Sequence, residues 1–255
     1  MQVVAFKMAG IVPVRVNDSW VKVVGKIDSP RNVFVVDNIA KNIINQLPDI
    51  GVDSEDQIVQ FSRGDFATIN EFLRMKKREF SEVQTIVFLW VGTEEIVTDA
   101  PPPNLTSKVI EEYFLPEGPR IIPHHDVEHV ASDYCETVVL ALALFPRARV
   151  CSTDPAPRRS TGFAISRANF VAKLLKQQGE RHHHFTMNRP FHGKRNKGNF
   201  NEGGRYPLFE KYFLDGVLPT TETWSDIFDR AYAAMNKLAG LDFNAVALTY
   251  VKIVF

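Results

Sequence analysis

At 255 residues and 28.9 kDa, with 45% hydrophobic residues, the chain suits one large domain, or one domain with appendages, that buries about 70% of its unfolded surface and needs no staples. Thirty basic residues balance thirty acidic ones, which excludes a general attraction to nucleic acid or membrane and leaves only local patches. The N-terminus lacks a charged region followed by a long apolar run, and no stretch of about 18 apolar residues occurs. A soluble intracellular protein, cytoplasmic or nuclear and without membrane contact, is expected.

In chain order, residues 1–26 (VVAFKM, IVPVRV, WVKVVGKI) read as short antiparallel strands. From residue 31 onward short β-branched runs alternate with longer helical ones, the signature of a parallel sheet covered by helices. Strands are predicted at 32–36 (NVFVV), 56–61 (DQIVQF), 85–91 (TIVFLWV), 148–152 (ARVCS) and 182–187 (HHHFTM). Helices are predicted at 38–47, 66–80, 127–145 and 164–179, where apolar residues recur at three and four. A last helix follows Pro219, with Thr220 or Thr221 as its N-cap.

The stretch 97–126 carries six prolines and reads as a long surface insertion. Residues 242–255 alternate like another strand. It is expected to cover an apolar edge by pairing with the N-terminal strands in a small added sheet, a β-addition surface for a partner being the alternative. Three regions result: an N-terminal strand extension (1–30), a main domain (31–240) and a C-terminal strand (241–255). Cys135 and Cys151 lie in apolar surroundings and read as buried small hydrophobes in a reducing compartment.

In an open parallel sheet ligands sit beyond the carboxyl ends of the strands, so the residues just after each strand are the place to look for a site. They read VVDNIAKNI, FSRGDF and WVGTEEI after the first three strands, PAPRRSTGFAISRANFVAKLL after the fourth, and LDGVLPT before the last helix. Taken in order, these blocks resemble the SGNH (GDSL) hydrolase superfamily, in particular the esterase-like domains of non-LTR retrotransposons and their domesticated relatives. The corresponding family blocks read Gly-Asp-Ser, a Gly, Gly-Thr-Asn-Asp and Asp-Gly-x-His. The resemblance covers residues 31–238. It implies a three-layer α/β/α flavodoxin-like parallel sheet, here with extra N- and C-terminal strands.

Carried over residue by residue, the resemblance puts Asp37, Asn38, Gly64, Glu94, Asp215 and Leu218 in the cleft. Asn38 stands where the family has its Ser nucleophile and cannot form an acyl-enzyme. Glu94 replaces an oxyanion donor with a carboxylate, and Leu218 replaces the His base. Asp37 and Asp215 also have structural readings, as a helix cap and as the holder of an Asp-Gly turn. The resemblance with these losses implies a pseudoenzyme, retrotransposon-derived, serving as a binding or scaffolding subunit of a protein or ribonucleoprotein complex and needing no cofactor. The alternative is an active esterase or acyl hydrolase with relocated groups, drawn from Ser62, Thr93 or Ser152 and from His124, His125 or His192.

Two further clusters remain. His125 and His129, four apart in HHDVEH, could chelate a metal, but a polar helix entry capped by Asp126 explains the same residues. The basic stretch 181–200 holds Arg181, Arg189, Lys194, Arg195 and Lys197, interleaved with Phe185, Phe191 and Phe200. Cations for phosphates and rings for bases make it a candidate for direct single-stranded RNA binding, a solvated surface loop being the alternative. The run His182–His183–His184 reads as an exposed strand end.

Overall fold

The chain enters its main sheet through an antiparallel hairpin, β1 (Val12–Val16) and β2 (Ser19–Gly25), with Asn17 at the turn in the left-handed region (φ 51°), a conformation that suits Asn better than most residues. The structure is a computed structural model and describes residues 11–17, 19–40, 50–62, 65–93, 95, 97–98, 120–121, 127–156, 171, 174–187, 212–214 and 218–239. After the hairpin come β3 (Asn32–Val36), a 3-10 turn at Asn38–Ala40, β4 (Gln57–Phe61), α1 (Phe66–Met75) and β5 (Thr85–Phe88). Then follow β6 (Val97–Thr98), β7 (Arg120–Ile121), α2 (Val127–Leu144), β8 (Arg149–Thr153), β9 (His182–Phe185), β10 (Phe213–Leu214), β11 (Leu218–Pro219) and α3 (Thr221–Ala239).

Seven strands form the main sheet in the order β1-β2-β4-β3-β5-β8-β9. From β4 to β9 all pairings are parallel, and β2 joins β4 antiparallel. The chain is thus an α/β protein with a mostly parallel sheet, as its pattern predicts. Strands β1 and β2 extend this sheet instead of building a separate one, because Val21 and Val23 are buried and pair with Phe61 and Val59 at an edge that would otherwise be bare; the first predicted stretch, VVAFKM, lies outside the described residues. Residues 242–255 lie outside the described residues.

The strands run apolar without a polar face because both faces are covered. Alternate residues Val33, Val35, Ile86, Phe88 and Val150 pack with α1 and α2. Their neighbours Phe34, Val36, Val87 and Cys151 pack with α3 through Trp224, Phe228 and Ala231. Asp65 caps α1 by accepting the Thr68 N–H at 2.6 Å, and Thr220, rather than Thr221, caps α3 by accepting the Thr223 N–H at 3.2 Å. Helix α1 stops at Met75, short of the predicted 80, and a series of turns returns Phe80 to the core. Of the predicted helix 38–47 only the 3-10 turn is described. Of 164–179, Val171 and Leu174 are helical, whereas residues 175–179 are described and have left the helix, the Gln178 N–H going to His182 Nδ1 instead of a helix carbonyl.

At the amino ends of the strands a polar knot fixes α3. The buried Asp56 accepts from Asn32 Nδ2 (2.9 Å) and from the Tyr232 hydroxyl (2.7 Å), while Tyr232 accepts the Asp53 N–H (3.1 Å) and Arg31 bonds Asp53. Burial raises the Asp56 carboxyl above its ordinary range, against the pull of these donors. Tyr232→Phe should cost about 2 kcal/mol in a urea titration, since it strips a donor from a buried carboxylate and an acceptor from a backbone N–H.

Candidate active site

The order of strands reverses between β3 and β5, so the crevice at their carboxyl ends is where an open α/β sheet presents ligands. Asp37 follows β3 there and is fully buried; it accepts the Ile39 N–H and the Thr93 N–H, both at 3.0 Å. One carboxylate therefore ties the 3-10 turn to the loop after β5. Asn38 is half-buried at the start of that turn, and β11, with Leu218, packs against it. The fold thus brings Asp37, Asn38 and Leu218 together across the chain, whereas Gly64, Glu94 and Asp215 lie outside the described residues. Replacing Asp37 by Ala should orphan two buried N–H groups and cost about 2 to 3 kcal/mol, read from the shift in a thermal melt.

Beyond β5 the predicted strand 85–91 is cut short. Trp90 takes a left-handed conformation (φ 58°) and Gly92 follows at φ 87°; a Cβ at Gly92 would sit 3.0 Å from Phe66 Cζ. Hydrogen bonds over-determine the turn: Trp90 N–H donates to Thr153 Oγ1 (2.8 Å), and Thr93 Oγ1 donates to the Trp90 carbonyl (2.8 Å) while accepting the Ala156 N–H (2.9 Å). Thr93, one of the candidate relocated nucleophiles, is therefore committed to the loop. Ser62 is exposed, with its N–H on the Trp20 carbonyl.

Ser152 is placed differently. Along β8, Val150 faces the α1 and α2 side and Cys151 the α3 side, so Ser152 faces the α1 and α2 side again. Parallel pairing sets Val150 opposite His182 and Ser152 opposite His184, which brings both imidazoles to the same face. The Ser152 hydroxyl lies 2.8 Å from His182 Nε2 and 3.0 Å from His184 Nδ1. Burial, helped by the neighbouring His184 and His183, lowers His182 to about 4, and burial lowers His184 to about 4. Both rings are neutral at pH 7, the state in which an imidazole can accept a proton. Cys151, on the opposite face, has its thiol pushed up to about 12 by burial and is inert as a nucleophile.

The surroundings hold β9 in register. Arg181 donates to the carbonyls of Leu142 (2.7 Å), Phe145 (3.0 Å) and Ala148 (2.6 Å), capping the end of α2. At the other end, Asp154 accepts the Met187 N–H at 2.7 Å. Above Ser152, the Tyr134 hydroxyl donates to the Thr153 carbonyl at 3.0 Å.

Several expectations change here. The three-histidine run is not an exposed strand end, since His182 is buried and His183 and His184 half-buried; with Val150 and Ser152 as partners, alternate histidines fall on a covered face. Arg181 is spent on helix carbonyls and does not belong to a nucleic-acid patch. Arg189, Phe191, Lys194, Arg195 and Lys197, along with His124, His125 and His192, lie outside the described residues. His129 is exposed on α2, and among the described residues no group of three His, Cys, Asp or Glu is arranged to hold a metal. Nor is any helix among them long and apolar enough to cross a membrane.

No family model and no curated protein matches the chain. Among solved structures it is similar to a predicted CIB-like hydrolase from Thermoplasma acidophilum, at 12% identity and a TM-score of 0.30, over 70% of this chain and 86% of that one. It is also similar to a proline iminopeptidase-related protein from Thermus thermophilus, at 16% identity and a TM-score of 0.26, over 69% and 88%. Similarity at this level transfers no residue roles.

The expectations of an SGNH identity, a retrotransposon origin and a scaffolding pseudoenzyme in an RNA-associated complex are corrected. The similar solved structures are described as a CIB-like hydrolase and a proline iminopeptidase-related protein. A missing nucleophile and base is also not what the interior holds, because Ser152 sits within hydrogen-bond distance of two imidazoles. The losses at Asn38 and Leu218 concern positions assigned by block order alone, and that order does not reveal a pair formed across two neighbouring strands.

Proposed function

We propose that the chain is a serine hydrolase acting on acyl esters, with Ser152 as nucleophile and a neutral imidazole of the His182 and His184 pair as general base. The observation that carries this reading is the Ser152 hydroxyl held 2.8 and 3.0 Å from two ring nitrogens, the distance a nucleophile and its base require. Ser152 Oγ would attack the acyl carbonyl as its proton passes to the imidazole. The leaving alkoxide would take that proton as its C–O bond breaks, and water would then cleave the acyl-serine by the same exchange, restoring the hydroxyl.

Ser152 has no exposed surface, so substrate must enter by uncovering it. The strand order β4-β3-β5-β8-β9 supports a finer topological reading, a flavodoxin-like doubly wound sheet between two helical layers. The unpaired thiols of Cys135 and Cys151 support an intracellular, reducing location.

The test is hydrolysis of p-nitrophenyl acetate and butyrate by the purified chain. Turnover well above a heat-denatured control supports the reading, and none at any pH between about 6 and about 9, the range in which a neutral imidazole can act as base, sinks it.

A further inference from the structure

The two imidazoles around Ser152 are not equivalent, and we infer that His184 accepts the Ser152 proton while His182 is locked as a hydrogen-bond donor to the same oxygen. The catalytic consequence rests on the hydrolase reading, but the proton positions do not. A backbone N–H can only donate, and that of Gln178 lies 3.0 Å from His182 Nδ1. Nδ1 therefore carries no proton, and a neutral His182 must hold its hydrogen on Nε2. That nitrogen is 2.8 Å from Ser152 Oγ, so Nε2–H donates to the hydroxyl.

The hydroxyl has one hydrogen of its own, and with His182 already donating, its acceptor is His184 Nδ1 at 3.0 Å. His184 must in turn keep its proton on Nε2, a buried atom without a hydrogen-bond partner among the described residues. The reverse order would set two N–H groups against each other at the Gln178 contact. The protons thus run one way, from the Gln178 N–H to His182, from His182 to Ser152 and from Ser152 to His184.

In the proposed reaction this order divides the labour. His184 Nδ1 takes the proton as Oγ attacks. His182 Nε2–H stays on Oγ and stabilises the negative charge that develops there before the new C–O bond is complete. No carboxylate among the described residues meets His184 Nε2, where a triad would place its orienting acid.

Two arms test this. Long-range 1H–15N NMR of the full chain at pH 7 should show His182 and His184 both as the Nε2–H tautomer, and a proton on Nδ1 of either ring overturns the relay. In ester hydrolysis, His182→Gln, whose amide can still donate to Oγ, should keep activity within about tenfold, while His184→Gln should lose at least about a hundredfold. The opposite ranking also overturns it. Correct tautomers without any hydrolysis would refute the hydrolase reading and leave the proton order standing.

Discussion

Ser152→Ala is expected to lower ester hydrolysis by at least about a thousandfold, the scale on which removal of a serine nucleophile acts. The loss should fall on kcat, because Oγ forms a bond only in the reaction and contributes little to ground-state binding. The variant must also be folded. Without Oγ, the His182 Nε2–H and the His184 Nδ1 lose their shared partner, which should cost about 1 to 3 kcal/mol of stability, visible as a lower urea midpoint with an unchanged slope. Ser62→Ala is the matched control. Its side chain is exposed and its backbone contact to Trp20 does not involve the hydroxyl, so both activity and stability should stay at wild-type values.

The second large effect is on stability in mild acid. His182 and His184 are lowered from 6.5 to about 4 in the folded chain, so between those pH values the unfolded chain binds protons that the folded one refuses. Stability therefore rises with pH across that window. The contribution is complete above pH 6.5, is lost as pH falls towards 4, and changes no further below it. With allowance for screening at the half-buried His184, each ring is worth about 2 kcal/mol, and the pair about 4 kcal/mol. Urea titrations at about pH 7, 5.5 and 4.5 should show that fall, and His184→Gln should flatten roughly half of it. A chain whose stability is level across this range would show that these rings are not buried and neutral.

Much of the sheet was legible in the sequence, for a physical reason. NVFVV and TIVFLWV lack a polar face because helices cover both sides, and short apolar runs of that kind alternating with helical spacing are the mark of a covered parallel sheet. Boundaries were less legible where the backbone departs from a regular conformation. At Trp90 the left-handed turn ends β5, and nothing in FLWVG announces that a large aromatic residue will adopt it. The turn depends on Thr153, which is 63 residues away in the chain and holds the Trp90 N–H.

The candidate site was less accessible still. Asp37, Asn38 and Leu218 could be found by scanning the residues after each strand, since that scan follows chain order. Ser152, His182 and His184 meet in the body of two adjacent strands, and their meeting depends on register. Shifting β9 by one residue would turn His183 towards Ser152 and send its two neighbours to the other face. The sequence signal was present in alternation, with His182 and His184 two apart, but the partner opposite them is set by Arg181 on the end of α2 and by Asp154 on Met187.

Whether Ser152 is a nucleophile is tested most directly by reaction of the folded chain with a fluorophosphonate probe, followed by mass spectrometry of the digested protein. A single adduct is predicted on the peptide that contains Ser152, formed at about pH 7.5, where both imidazoles are neutral, and abolished by denaturation before labelling. Labelling at another residue, or an unmodified Ser152 in a chain that hydrolyses esters, would contradict it.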